Sequence, residues 1–258
     1  MCTVSWLRDE HGYDLFFNRD ERRTRADAEP PGVERVGSTR VIAPRDGEAG
    51  GSWVAVNDLG LTVALLNGYR ASDADSPPAG GDWTSRGLLV MSLADCTGVR
   101  DLAARLEGTD LGTFRSFHLL ALDPVETLLA SCRDGALERT AGADIAPPLI
   151  SSSYRFDAVS ASRREVYASH LEEPGRSAED SAVAFHRGHD PERGPFSPCM
   201  HREDARTVSF TWVRVDRTRV TMRYSPDSPC RSWPPTFKTW SARARVRGGS
   251  PGTSSTSR

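Results

Sequence analysis

The first 21 residues constrain the fold most. Cys2-Thr3-Val4-Ser5-Trp6-Leu7 and Tyr13-Asp14-Leu15-Phe16-Phe17 are β-branched and aromatic runs around a polar turn, Arg8-Asp9-Glu10-His11-Gly12. Such a pattern reads as a hairpin that begins with residue 2. The second strand therefore returns Asn18, Arg19, Asp20 and Glu21 to the neighbourhood of Cys2. Initiator methionine is trimmed before small residues, and its removal would give Cys2 both a thiol and a free α-amine, whose ordinary pKa of about 7.7–8.0 suits a general base. An arginine beside such a thiol lowers its pKa, and a carboxylate orients the ammonium. The competing reading is a buried strand cysteine beside a solvated charged turn that continues through Arg22, Arg23 and Arg25.

Further along, strand-like and helix-like blocks alternate. Residues 26–49, rich in Pro, Gly and charge, read as a long surface loop. A second hairpin is expected from Trp53-Val54-Ala55-Val56, a turn at Asn57-Asp58-Leu59-Gly60, and Leu61 to Leu66. Another breaker-rich stretch covers residues 73–81, and Ser85 is placed to cap a helix over residues 88–93. A helix over 99–106, strands over 117–122 and 127–132, and helices over 158–171 and 179–185 follow. Residues 207–215 and 220–224 form the last hairpin. Paired strands separated by paired helices suit two packed sheets with helices outside them, an α+β arrangement. Residues 1–230 read as one domain. From 231 to 258 Pro, Ser, Arg and Gly dominate, which predicts a low-complexity, disordered tail in which Trp233, Phe237 and Trp240 could dock locally.

Composition narrows the function. A formal net charge of -2 argues against nucleic acid or anionic membrane as the main partner. No run of 18 or more apolar residues is present, and charged residues break up the start, so neither membrane insertion nor a signal peptide is expected and a cytoplasmic location is. Five cysteines without a CxxC pattern predict thiols rather than a disulfide framework. His186-x-x-His189 and Cys199-x-His201 match no standard zinc spacing, and no metal is expected.

The start Met-Cys-Thr, the run Asn18-Arg19-Asp20-Glu21, Gly50-Gly51-Ser52-Trp53, Leu61 to Asn67, and Ser85-Arg86-Gly87 together resemble the NRDE proteins, the transport and Golgi organisation 2 family. More distantly, Cys2, Arg19, Asp20 and Asn67 look like the choloylglycine hydrolase and penicillin V acylase group. That resemblance implies a four-layer αββα sandwich of N-terminal-nucleophile hydrolase type, and it implies the fold more firmly than an activity. It places Asn67 as an oxyanion donor, although Asn67-Gly68 also reads as a turn dipeptide. Where the hydrolase relatives carry a further catalytic asparagine, this chain has Ser151-Ser152-Ser153. Ser152 can donate one hydrogen bond but lacks an amide's NH2, which weakens the case for efficient amide hydrolysis. The serines also read as a helix cap. An arginine of the relatives approaches the nucleophile, and either Arg202 or Arg206 can be its counterpart.

The candidate catalytic set is thus Cys2, Arg19, Asp20, Asn67, Ser152 and Arg206, with Asn18, Trp53, Ser153, His201 and Arg202 as candidate ligand contacts. Two functions follow from the resemblance. One is a cysteine hydrolase of a small acyl amide or thioester that needs no cofactor. The other is a retired site carrying a lipophilic acyl ligand or noncovalent haem, with Cys199, Met200 or His201 as soft ligands. Oligomeric state is not encoded in any of these features.

Overall fold

A computed structural model describes residues 1–69, 82–231 and 238–243; the breaker-rich stretch 73–81, together with Trp233 and Phe237, lies outside the described residues. Strand β1 (Cys2–Asp9) turns into β2 (Gly12–Arg22) as the sequence requires, with Cys2 opposite Arg19 and Asp9 opposite Gly12. Around this hairpin a six-stranded sheet runs in the order β10-β1-β2-β11-β12-β13. Its other members are β10 (Leu149–Ser151), β11 (Ala205–Asp216), β12 (Arg219–Ser225) and β13 (Lys238–Arg243). The second sheet is a seven-stranded meander of β3 (Glu29–Val36), β4 (Thr39–Arg45), β5 (Val54–Asn57), β6 (Thr62–Asn67), β7 (Phe117–Leu122), β8 (Thr127–Arg133) and β9 (Ala136–Ala141).

Strand alternation builds the layers. Val4, Trp6, Leu15, Phe17, Val213 and Val215 of the first sheet form one buried cluster with Val54, Val56, Ala64, Leu66, Leu120 and Leu122 of the second. The intervening residues face outward. Phe16 and Phe210 pack with Ala182 and Val183 of α4 (Ala178–Arg187), and Thr3 meets Arg163 of α3 (Phe156–Leu171). On the far side of the second sheet, Val63, Leu65, Leu119 and Ala121 pack against α1 (Arg86–Leu93) and α2 (Val99–Glu107). The result is the four-layer αββα sandwich.

Three local expectations need correction. Residues 26–49 are not one loop: they contain the β3–β4 hairpin. Pro30 and Pro31 are tolerated because β3 is an edge strand, and its register shifts between Glu29 and Gly32. Within the expected tail, Lys238–Arg243 pairs antiparallel with β12. The helix caps also differ. Ser85 stands at the start of α1 without a side-chain cap, and α3 begins at Arg155 in a left-handed conformation while Ser152 bonds Tyr154 instead. Ser177 does cap α4, accepting from the Asp180 amide.

Candidate active site

Cross-strand pairing sets the site. Cys2 and Arg19 face each other on the inter-sheet surface, so their Cβ atoms lie roughly 5 Å apart. The Arg19 guanidinium sits 4.1 Å from the centroid of the Trp53 ring, and its Nη2 lies 2.5 Å from Asp46 Oδ2. Asp46 also binds Arg25 at 2.8 Å. Burial alone would raise the Asp46 carboxyl, but hydrogen bonds from Arg25 and the Ala49 amide and the charges of Arg25 and Arg19 outweigh it and hold it at about 2. Arg19 is thereby fixed as a buried cation beside the thiol.

Asp20 is one residue further and so faces the opposite side of the sheet. Its Oδ1 accepts from Thr207 at 2.6 Å, and its Oδ2 lies 3.5 Å from Nη1 of the fully buried Arg163. Burial pushes the Asp20 carboxyl up despite Arg163. Arg163 itself donates to Thr3 Oγ1 at 2.5 Å and to the Pro195 and Phe196 carbonyls. Sequence reading missed Arg163. Its signal was there, since it falls between Val159 and Tyr167 at i+4 spacing on the buried face of α3.

At the chain start, the Met1 amine donates to the Asp20 carbonyl and the Tyr69 hydroxyl, both at 3.2 Å. The Met1 side chain is buried with Met200 and Ala205, and its Sδ accepts from Ser152 Oγ at 2.9 Å. Burial lowers the Met1 amine's affinity for its proton, but Cys2, Tyr69 and Asp20 raise it further, so this position favours a cation. Burial pushes the Cys2 thiol up, opposed by the Met1 ammonium and Arg19.

A cavity of about 500 Å³ opens at this end of the sandwich, lined by Cys2, Arg19, Asp20, Trp53, Asn67 and Tyr69 among others. Ser153, Met200 and Arg202 also line it. Asn67 Nδ2 donates to the Tyr69 hydroxyl at 2.9 Å, so Tyr69 links the asparagine to the chain start. Tyr69 too was missed, although it directly follows the Asn67-Gly68 pair that ends β6.

Other candidates fall elsewhere. Asn18 is buried under the helices, donating to the His186 and Pro198 carbonyls at 2.8 and 2.9 Å, and lines no part of the cavity. Ser152 borders a neighbouring cavity of about 250 Å³. Of the two candidate arginines, Arg202 lines the cavity, lies over the Tyr154 ring and reaches Met1 Sδ at 4.0 Å, whereas Arg206 is ion-paired with Asp227 and hydrogen-bonded to Ser228, away from the cavity. His201 points into a separate group of histidine and cysteine side chains.

The motifs that were far apart in sequence meet here. Ser52 N donates to the Gly87 carbonyl at 3.0 Å, so the Gly-Gly-Ser-Trp run docks on the Ser-Arg-Gly run at the start of α1. Gly51 permits this approach, because a Cβ there would lie 2.3 Å from the Gly87 carbonyl carbon. This docking seats Trp53 beneath Arg19.

Residues 1–144 match the family Transport and Golgi organisation 2. The chain belongs to this family. For this Transport and Golgi organisation 2 member, a comparison with curated proteins gives no match. Among solved structures, a cysteine-to-alanine variant of conjugated bile acid hydrolase from Clostridium perfringens is similar at TM-score 0.51 and 12% identity, covering 97% of this chain and 99% of that one. An arginine-to-leucine variant of the same hydrolase gives TM-score 0.52 and 11% identity, over 96% and 99%. The Caenorhabditis elegans orthologue of N-acylethanolamine-hydrolyzing acid amidase gives 0.55 and 12%, over 82% and 92%. At these identities the likeness establishes the N-terminal-nucleophile hydrolase fold alone. Among the described residues no helix is long and apolar enough to cross a membrane.

Proposed function

We propose that this Transport and Golgi organisation 2 protein is an N-terminal-cysteine hydrolase of a small acyl amide or thioester. One observation carries the reading: Cys2, Arg19, Trp53 and Asn67 line the same cavity, with the chain start held at its edge. Removal of Met1 would free the Cys2 amine at the Asp20 end of the ladder and vacate the space now filled by the methionine side chain. The amine then takes the thiol proton, the thiolate adds to the carbonyl carbon, and Asn67 Nδ2 donates to the developing oxyanion. The protonated amine returns its proton to the leaving nitrogen or sulfur. Water then cleaves the acyl-enzyme.

Arg19 keeps a fixed positive charge beside the sulfur throughout. Asp20, buried with Arg163, steadies the backbone that binds the amine. The names of the similar structures, a conjugated bile acid hydrolase and an N-acylethanolamine-hydrolyzing amidase, support an acyl amide as the first substrate class to test. The carrier reading has less support. Met200 packs on Met1 while Cys199 and His201 turn into another cluster, so the three soft donors do not converge on the cavity.

The deciding experiment uses full-length protein whose start has been established by intact mass. The Met1-free chain should release product from an acyl-amide or acyl-thioester probe, Cys2→Ala should show none, and Cys2→Ser should retain only a trace. Equal turnover by Cys2→Ala would overturn the proposal.

A further inference from the structure

Four side chains that the hydrolase site does not use converge behind its wall. His189, Cys199, His201 and Cys230 each offer a ligand atom, and these atoms all lie within 4.8 Å of one another. Cys199 Sγ is 3.5 Å from His201 Nε2, Cys230 Sγ is 3.3 Å from the same nitrogen, and the two imidazole rings are 5.1 Å apart at 62°. Bonds of about 2.3 Å to sulfur and 2.0 Å to nitrogen give a zinc tetrahedron edges of roughly 3.3–3.8 Å, so a small inward adjustment suffices. The Nε2 of His189 is buried and has no hydrogen-bond partner, a cost that a bonded metal would remove.

We propose that His189, Cys199, His201 and Cys230 form a structural zinc site. Two thiolates and two imidazoles are the donor set that favours tetrahedral zinc over hard cations. Four protein ligands fill the coordination sphere and leave no open position for a substrate, which makes the site structural rather than catalytic. The spacing resembles no finger because the irregular loop between α4 and β11 supplies His189, Cys199 and His201, and the chain leaving β12 supplies Cys230.

Residues 188–204 contain no helix or strand beyond an isolated bridge between His201 and Arg206. Between two of the ligands sits Met200, which packs on Met1, and the next residue after His201 is Arg202, which lines the cavity. A metal at this point fixes that cavity wall and ties it to the segment that precedes β13. The site requires no turnover at Cys2.

The test is made on the full chain purified under reducing conditions without chelator. Elemental analysis should find about one zinc per chain. Replacement with Co²⁺ should produce intense visible d–d bands of a tetrahedral centre together with a thiolate-to-cobalt charge-transfer band. Cys230→Ser and His189→Ala should each lower bound zinc at least about tenfold, while Cys96→Ser leaves it unchanged. The cobalt spectrum of the unmutated chain decides the matter even where a variant fails to fold. A protein without zinc, a cobalt spectrum without thiolate charge transfer, or a Cys199–Cys230 disulfide in the reduced preparation would overturn the proposal.

Discussion

Cys2 and Arg19 are direct partners across the β1–β2 ladder, and Arg19 is clamped between the Trp53 ring and the Asp46 carboxylate. The cation therefore cannot swing away from the sulfur. Reactivity of the thiol then depends on what occupies residue 1. While Met1 is attached, Cys2 is buried and its thiol is pushed up.

Alkylation should report this difference. In the Met1-free chain Cys2 should react with iodoacetamide near pH 7 at least about tenfold faster than Cys96, whose thiol burial pushes up to about 12. In the chain that retains Met1 the advantage should disappear. Peptide mapping after timed labelling reads both rates, and equal labelling of the two cysteines in the Met1-free chain would show Cys2 to be an inert strand residue.

Asp46→Asn should destabilise the protein by about 3 kcal/mol, because it removes the close counter-charge of the buried Arg19 and leaves only Glu21 at 3.9 Å. The folded carboxyl lies at about 2, below its unfolded value. Its contribution is therefore complete above about pH 4 and is lost as pH falls towards 2. Urea unfolding of both proteins from pH 7 to 3 measures the difference, which should shrink below pH 4.

His186 is buried among Phe16, Phe185 and Phe210, bonds Ser5 Oγ at 2.9 Å, and is held down to about 3 by burial and by Arg163. Its unfolded value lies near 6.5, so the unfolded chain binds the proton first. Stability should be insensitive to this group above about pH 7 and should fall by about 1.4 kcal/mol per unit as pH drops from 6.5 towards 3. In His186→Gln the slope between pH 6.5 and 5 should decrease by about that amount. An unchanged slope would mean that the imidazole titrates normally in the fold.

Gly51→Ala tests the docking of the two glycine motifs. The added Cβ would meet backbone atoms of Gly87 and Leu88 at 2.3 and 2.6 Å, which cannot rotate aside. A loss of about 2 kcal/mol or more is expected, with weaker fluorescence coupling between Trp53 and its surroundings. Gly32→Ala, with nothing within 4 Å of the new methyl, should stay within about 0.5 kcal/mol. Thermal unfolding of the pair separates local crowding from any general effect of glycine replacement.

The sequence by itself determined the opening hairpin, the last hairpin and the helices, because period-2 and period-3.6 patterns depend only on local geometry. It thereby determined that Arg19 returns to Cys2, and the ordered motifs identified the family. It misread residues 26–49, since a proline-rich edge strand differs from a loop only in having a neighbour to pair with. What only the tertiary structure decided was which residues of a charged run share a surface. Strand parity sends Arg19 towards Trp53 and Asp20 towards Arg163, and a distant aspartate at 227 takes Arg206 out of contention while Arg202 reaches the cavity. The meeting of His189, Cys199, His201 and Cys230 is of the same kind: one irregular loop supplies three of the ligands and the chain leaving β12 the fourth, and only the folded path of the chain brings them together.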